Sequence, residues 1–132
     1  MTDTWKKPVI KHNIPTKWMW MVCRPEYLAL GKGTDIGAFT YIQAQQGIEI
    51  QDDVQIGSHC SIYSVSTIDG KQGMVLIRRN ARIGTHSVVM PGITIGENSI
   101  VGAYSFVNCD IPDNEVWYGI PAIFRRKIDR NH

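Results

Sequence analysis

Two histidines stand at equivalent places in this chain and are the first candidates for chemistry. His59 lies in the segment IGSHCS and His86 in the segment IGTHSV. The other two of the four histidines, His12 and His132, lie near the two ends of the sequence. An imidazole takes up a proton near neutral pH, so His59 and His86 are the candidates for a general base.

The cysteines indicate neither a disulfide framework nor a zinc site. Cys23, Cys60 and Cys109 are odd in number and widely spaced, and no two of them form a CxxC pair. We therefore expect three reduced thiols, each a small buried residue.

Composition excludes several function classes. The chain has 132 residues, is 43% hydrophobic and 20% charged, and carries a net charge of +2. A chain of this length and composition forms one globular domain. Its net charge is too small for a protein that neutralises many phosphates, so nucleic acid is not the expected partner. No segment approaches the roughly 20 apolar residues of a membrane span or forms a secretory leader, so we expect a soluble, cytoplasmic protein with no membrane partner.

A six-residue repeat defines the elements that must position these side chains. From residue 77 the chain divides into IRRNAR, IGTHSV, VMPGIT, IGENSI, VGAYSF and VNCDIP, each led by Ile or Val. The same step is kept upstream by Ile36, Ile42 and Ile48 and, after a slip of two residues, by Ile50, Ile56, Ile62 and Ile68. Gly often follows the leader, and the fifth position is mostly small. Stacked strand-and-turn units explain this period, whereas the strands of a β-sandwich recur at about 8–12 residues, so we predict an all-β solenoid.

The segment IGTHSVVMPGITIGENSIVGAYSFVNCDIPDNEVWYGIPA resembles the terminal hallmark of the hexapeptide-repeat acyltransferases. The resemblance implies a left-handed parallel β-helix with triangular coils. Residues 32–112 then supply about four coils, residues 1–31 form an N-terminal cap, and residues 113–132 form a C-terminal cap with a short helix from Pro121. The short form of the chain is similar to bacterial sugar O- and N-acetyltransferases, above all those acting on nucleotide-linked amino sugars in surface-polysaccharide biosynthesis, such as that of lipopolysaccharide.

The same resemblance implies a cofactor and an assembly. Acetyl-coenzyme A, or another acyl-coenzyme A, is the expected co-substrate, with the backbone N–H groups of Thr85 and Ala103 against its thioester and pantetheine. Arg125 and Arg126 in the basic tail are expected to contact its phosphates. The resembled enzymes are homotrimers with active sites between subunits. A zinc site of the γ-carbonic anhydrase type is not expected, because the chain lacks the two histidines five residues apart that such a site needs.

One interruption of the repeat is the expected place of the site. The step from Ile68 to Ile77 is nine residues, so we predict a loop at 69–76. In the resembled enzymes the catalytic histidine lies in a longer excursion at this place, where the present chain reads STIDGKQG without a histidine. His59 and Asp69 are the two candidates for the base, each with the alternative of being an ordinary turn residue, and His86 is a third candidate.

The expected function is acyl-coenzyme-A-dependent transfer of an acyl group, typically acetyl, to an amino or hydroxyl group of a sugar. Transfer should be direct, since Cys60 falls on a small inward position of its hexad and is not placed as a nucleophile. The alternative is a non-catalytic β-helix that serves as an assembly or scaffold module, because hexads specify a fold and not an activity. The sequence does not decide the acceptor sugar, N- or O-acylation, or the length of the acyl chain.

Overall fold

The structure, a computed structural model, describes residues 4–129, and these are almost entirely β-stranded. The first strands are β1 (Met21–Cys23), β2 (Leu28–Leu30), β3 (Asp35–Ile36), β4 (Tyr41–Gln43), β5 (Ile48–Ile50), β6 (Gln55–Ile56), β7 (Ser61–Tyr63), β8 (Val65–Ser66) and β9 (Lys71–Gln72), with a 3-10 turn at Pro25–Tyr27. The later strands are β10 (Val75–Ile77), β11 (Arg82–Ile83), β12 (Val88–Val89), β13 (Thr94–Ile95), β14 (Ile100–Val101), β15 (Phe106–Val107), β16 (Glu115–Gly119) and β17 (Ala122–Lys127). No helix in the described range has the length and apolar character needed to cross a membrane.

Strands from successive coils pair in parallel and make the three faces of a prism. Face 1 contains β1, β4, β7, β12 and β15, and face 2 contains β2, β5, β10 and β13. Face 3 contains β3, β6, β11, β14 and β16, with β17 added at its edge. In this pairing the leader of each hexad lies opposite the leader of the equivalent hexad in the next coil. Ile56, for example, lies opposite Ile83, and Ile83 lies opposite Val101. The predicted all-β, left-handed parallel β-helix is confirmed.

The hexad leaders form the core of the prism. Every predicted leader except Ile68 is buried, as are the small fifth-position residues Cys60, Ala81 and Ser87. Large and small side chains thus alternate inside each coil and fill its narrow interior. Burial of each Ile or Val side chain stabilises the fold by about 1.5–3 kcal/mol. All leaders are β-branched because such side chains pack well on a strand.

The glycine after the leader allows the coils to stack closely. A Cβ atom on Gly84 would lie 2.5 Å from the amide nitrogen of Ala103, and one on Gly57 would lie 2.7 Å from that of Thr85. Real Cβ atoms do not approach that closely, so only glycine permits the next coil to pass at these places.

Four coils are complete, and the N-terminal cap begins to join the prism earlier than expected. The coils are β2–β4, β5–β7, β10–β12 and β13–β15. The first starts at Leu28 instead of residue 32, and β1 already belongs to face 1. The cap covers the end of the core through Trp20, which is only 3% exposed, and Trp5 donates its indole N–H to the carbonyl of Thr34 at 2.9 Å.

The interruption of the repeat is a β-hairpin. Strands β8 and β9 pair antiparallel between β7 and β10, so the chain departs from the prism at Val65–Gln72, earlier than the predicted 69–76. Ile68 lies in the turn of this hairpin with 96% of its surface exposed, so its assignment as a core leader is wrong. The core positions after the hairpin are taken by Val75 and Ile77, which are both fully buried.

The tail contains a strand where a helix was expected. Residues Ala122–Lys127 form β17, which pairs antiparallel with β16, and no helix is found in the described part of the tail. The physical reason is the open edge of face 3: β16 pairs with β14 on one side only, and β17 supplies partners for its other side. The predicted C-terminal cap is therefore a hairpin, while His132 lies outside the described residues.

Candidate active site

Four rings follow one another along the corner where face 3 turns into face 1. We call Phe39, His59, His86 and Tyr104 the aromatic corner. Each is the fourth residue of its hexad. Ring centroids lie 5.1 Å apart for Phe39 and His59, 4.7 Å for the two histidines, and 4.8 Å for His86 and Tyr104. The planes of the last two pairs are within 5° and 8° of parallel. The fold thus brings the two histidines among the three base candidates, His59 and His86, into direct contact.

The backbone of the aromatic corner is unusual for ring-bearing residues. All four have φ between 58° and 65°, in the left-handed region. The equivalent residues of the corner between faces 2 and 3 are Asp53, Asn80, Asn98 and Asn114, whose short polar side chains suit this conformation. Left-handed backbone costs a larger side chain on the order of 1–3 kcal/mol, and aromatic stacking returns about 0.5–1.5 kcal/mol per pair. Rings at this corner therefore indicate a surface with a specific use.

Four backbone N–H groups at the same corner, those of Ala38, Ser58, Thr85 and Ala103, have no hydrogen-bond partner among the described residues. The amides of His86 and Tyr104 donate to the carbonyls of Ser58 and Thr85 in the preceding coil, at 3.0 and 2.9 Å. The amides of Thr85 and Ala103 make no such bond to any described residue. These are the two amides predicted to contact the thioester and pantetheine, and the structure places them beside the stacked imidazoles.

Asp69 lies away from the aromatic corner. It stands in the turn of the β8–β9 hairpin, which leaves the prism at the corner between faces 1 and 2. Its carboxylate accepts a hydrogen bond from the Lys71 amide at 3.3 Å and lies 3.8 Å from the Lys71 ammonium group. A hydrogen bond from the Ser66 side chain, aided by Lys71, lowers the pKa of Asp69. Within one protomer, face 1 separates Asp69 from His59, and the two are not brought together.

The two predicted phosphate contacts differ in their surroundings. Arg125 is the extra residue at a β-bulge of the β16–β17 hairpin, and its guanidinium donates to the Tyr118 carbonyl at 3.0 and 3.2 Å and covers the Tyr118 ring at 4.2 Å. Arg126 is exposed and makes no ion pair or side-chain hydrogen bond with any described residue. Of the pair, Arg126 has the guanidinium that is open to an anion.

Cys60 occupies the inward position predicted for it, whereas Cys23 is only half-buried and Cys109 is exposed, so the expectation that all three thiols are buried is wrong. The Cys60 side chain is 1% exposed, and its thiol donates to the Gly84 carbonyl at 3.2 Å. Burial raises the pKa of the Cys60 thiol, which keeps it protonated. A buried neutral thiol is a poor nucleophile, in agreement with the expectation of direct transfer.

Two members of the aromatic corner were missed from the sequence, although a signal was present. Phe39 and Tyr104 follow a leader and a glycine at the same spacing as His59 and His86. Alignment of the four hexads on their glycines would have placed all four rings in one column. A phenyl or phenol ring is not a typical base at neutral pH, so residue type alone does not mark Phe39 and Tyr104 as members of the site.

A cavity of about 740 Å³ lies between the N-terminal cap and the first coil. Its lining includes Trp5, Trp18, Trp20, Lys6, Lys17 and Asp35. The ammonium of Lys17 lies 4.6 Å from the centroid of the Trp18 ring. The sequence predicted a cap here and no cavity, although three tryptophans and several lysines within the first twenty residues are the corresponding signal.

Known proteins share both the repeat and the fold. Residues 74–109 match the family described as bacterial transferase hexapeptide (six repeats). Galactoside O-acetyltransferase of Lactococcus lactis subsp. lactis (strain IL1403) is 34% identical, over 80% of this chain and 59% of that protein. A hexapeptide-repeat acetyltransferase of Vibrio cholerae O1 biovar eltor, solved with acetyl-coenzyme A, superposes with a TM-score of 0.77 at 26% identity, over 83% of this chain and 65% of that one. For a galactoside acetyltransferase solved with coenzyme A the TM-score is 0.75 at 26% identity, over 86% of this chain and 60% of that one.

A triangular prism of stacked hexads defines the class as hexapeptide-repeat β-helix proteins. Within that class, residues 74–109 carry the repeat of the bacterial transferase hexapeptide family, and the fold is shared with hexapeptide-repeat acetyltransferases. It spans about three fifths of the length of the galactoside O-acetyltransferases that it matches.

Proposed function

We propose that this protein is an acyl-coenzyme-A-dependent acyltransferase that moves an acetyl group to an amino or hydroxyl group of a sugar. The observation that carries the proposal is the pair of unbonded amides, Thr85 and Ala103, beside two imidazoles at the aromatic corner. The likeness to galactoside acetyltransferases supports both the sugar acceptor and the coenzyme.

The chemistry of acyl transfer matches this corner. A base removes the acceptor proton, the acceptor attacks the thioester carbonyl, and N–H groups stabilise the negative charge that develops on the carbonyl oxygen. Thr85 and Ala103 supply the N–H groups and the contacts to pantetheine, while Arg126, with Arg125 beside it, binds the phosphates of the coenzyme. Three side chains are candidates for the base: His59, Asp69 and His86.

A homotrimer would complete the site. The hairpin that carries Asp69 and the aromatic corner lie on different corners of one protomer, so a single chain cannot place them around one ligand. When prisms pack side by side about a threefold axis, the hairpin corner of one subunit can face the aromatic corner of its neighbour. Family resemblance supports this arrangement, with one active site between each pair of subunits.

The acceptor proposed in finer detail is a nucleotide-linked amino sugar used in surface-polysaccharide biosynthesis. The cavity at the N-terminal cap supports a nucleotide, because the partly exposed ring of Trp18 can stack on a base and Lys6 and Lys17 can pair with phosphates. Asp35 in the same lining can accept a hydrogen bond from a ribose or sugar hydroxyl.

A thiol-release assay tests the proposal. Acetyl-coenzyme A is incubated with the protein and a panel of galactosides and nucleotide-linked amino sugars, and free coenzyme A is measured. The proposal predicts release that depends on one class of acceptor. Acetyl-coenzyme A at one hundred times its Kd should also stabilise the protein by about 2.7 kcal/mol.

The scaffold alternative predicts the opposite in both measurements. A structural module would show no acceptor-dependent thiol release and no thermal stabilisation by acetyl-coenzyme A. Stabilisation without release for any acceptor would leave binding in place and contradict the proposed sugar acceptors.

A further inference from the structure

The ring of His86 is fixed by a hydrogen-bond network that His59 lacks. Its Nδ1 lies 2.8 Å from the hydroxyl oxygen of Thr85, and that oxygen lies 2.8 Å from the carbonyl of Ser58. The Ser58 hydroxyl is also 3.1 Å from the Thr85 oxygen. No described residue makes a hydrogen bond to the ring of His59, which is held only by the rings on its two faces.

Counting the protons of this network fixes the tautomer of His86. The carbonyl of Ser58 can only accept, so the single proton of the Thr85 hydroxyl must point to it. The Thr85 oxygen is then an acceptor toward His86, and the proton of that bond belongs to Nδ1. The Ser58 hydroxyl donates to the remaining lone pair of the same oxygen. In neutral His86, therefore, Nε2 carries no proton and has a free lone pair.

From this geometry we infer that His86 is the general base of the acyl transfer and that Thr85 is its positioning residue. The inference rests on the proposed function and names the residue that performs its proton transfer. His86 is exposed at the corner and adjoins the unbonded amide of Thr85, so one turn offers both a proton acceptor and an oxyanion donor. His59 then acts as a stacking partner.

The rings on either side suit a base that becomes charged during the reaction. When His86 takes a proton it becomes an imidazolium ion between Tyr104 on one face and His59 on the other, with centroids at 4.8 and 4.7 Å. A cation within about 6 Å of a ring face is attracted by the π electrons of that ring. The faces of the Tyr104 and His59 rings thus lie against the ring that accepts the proton.

Asp69 is less suited to this role. The hydrogen bond from Ser66 that lowers its pKa favours the ionised carboxylate and makes it a weaker base. It also lies at the other end of face 1 from the amides of Thr85 and Ala103 in the same protomer. Its hairpin remains suited to contact with the acceptor sugar of a neighbouring subunit.

The proposed step balances without any further reactant. Nε2 of His86 takes the proton of the acceptor amine or hydroxyl, and the acceptor lone pair forms the bond to the thioester carbonyl carbon. The carbon–sulfur bond then breaks, and the leaving sulfur takes the proton from His86. The products are the acetylated sugar and coenzyme A, and the base is restored.

The tautomer can be measured in the free protein without an activity assay. Long-range proton–nitrogen correlation spectra of the imidazoles should show His86 as the Nδ1–H tautomer at a pH where it is neutral. Thr85→Val removes the hydroxyl and should abolish this preference, while Thr85→Ser should keep it. An Nε2–H tautomer at His86 in the unmodified protein would overturn the inference.

A matched pair of substitutions tests the role in catalysis. His59→Phe and His86→Phe each keep a ring in the stack, and Phe39 already adopts the backbone of this turn with φ of 65°. We expect His86→Phe to lower kcat at least about a hundredfold, the usual loss for a general base, and His59→Phe to lower it less than about tenfold. Thr85→Val should lower kcat with little change in the KM for acetyl-coenzyme A, and Thr85→Ser should restore it.

Different results would overturn the assignment of the base and the proposed function. Loss of kcat in His59→Phe alone, or a His86→Phe variant within tenfold of the unmodified enzyme, would overturn the assignment of the base and leave the acyltransferase in place. An unmodified protein that transfers acetyl to no acceptor would instead remove the proposed function, and the tautomer spectra would still decide whether His86 holds its proton on Nδ1.

Discussion

The fourth hexad position carries different chemistry at two corners of the same prism. One corner is lined with Asn and Asp, where Asn80 and Asn98 are joined by a hydrogen bond of 2.7 Å that ties neighbouring coils together. The other corner stacks rings and leaves the amides of Thr85 and Ala103 unbonded. Since both corners share the same left-handed backbone, the difference lies in the side chains, and the aromatic corner is the one proposed to bind a ligand.

Cys60 provides a test of direct transfer at the level of one residue. Its burial raises the pKa of the thiol, so the reactive thiolate is scarcer at any given pH than in an exposed cysteine. We expect a thiol reagent at pH 8 to modify the exposed Cys109 in the folded protein and to reach Cys60 only on unfolding, as measured by mass spectrometry. Rapid modification of Cys60 that coenzyme A prevents would show instead that this thiol faces the active site.

At the level of elements, the coils were predictable and the two hairpins were not. Leaders such as Ile83 and Val101 repeat because a solenoid core demands them at every coil, so periodicity alone identifies the faces. Ile68 keeps the same spacing by coincidence in an excursion where no core exists, and spacing cannot reveal that. The tail was misjudged because Pro121 is compatible with a helix start, whereas the open edge of β16 that recruits β17 is a property of the assembled sheet.

For the candidate site, the sequence could predict which residues share a corner but not how their side chains are oriented. The shared corner of His59 and His86 was predictable from the repeat, because coil register puts equivalent residues on one corner, whereas Thr85 and Ala103 were expected from the family resemblance. The orientation of the His86 ring depends on hydroxyl contacts across coils that no spacing encodes. The separation of Asp69 from His59 was not predictable either, because it depends on the corner at which the β8–β9 hairpin leaves the prism.

The tail hairpin leads to a prediction that separates its two arginines. We expect Arg126→Ala to raise the Kd for coenzyme A roughly tenfold, in line with about 1.5–3 kcal/mol for a hydrogen bond to a charged group, measured by isothermal titration. Arg125→Ala should have a smaller effect, because the Tyr118 carbonyl already occupies its guanidinium. Acetyl-pantetheine, which lacks the terminal phosphates, is the control: its KM should not change in Arg126→Ala, and an equal change for both donors would contradict the phosphate contact.

At the scale of the whole molecule, one protomer has a narrow core and considerable exposed apolar surface. Each coil is only one leader wide, and Tyr104, Ile123 and Phe124 are about half exposed. Apolar groups distributed in this way are more stable when neighbouring prisms cover them.

The expected assembly is a homotrimer. Sedimentation equilibrium should give three times the 14.9 kDa of one chain at micromolar concentration. A monomer under these conditions would rule out a site shared between the hairpin of one subunit and the aromatic corner of the next.

The central claim is that acyl-coenzyme A binds along the aromatic corner, and amide resonances measure this directly. On titration of the isotopically labelled protein with coenzyme A, the account predicts that the largest shifts fall on the N–H groups of Thr85 and Ala103, with smaller shifts at Arg126. Residues that line the cavity at the N-terminal cap, such as Trp18, should move little. Saturable binding with shifts confined to that cavity, or no binding at millimolar coenzyme A, would contradict the account.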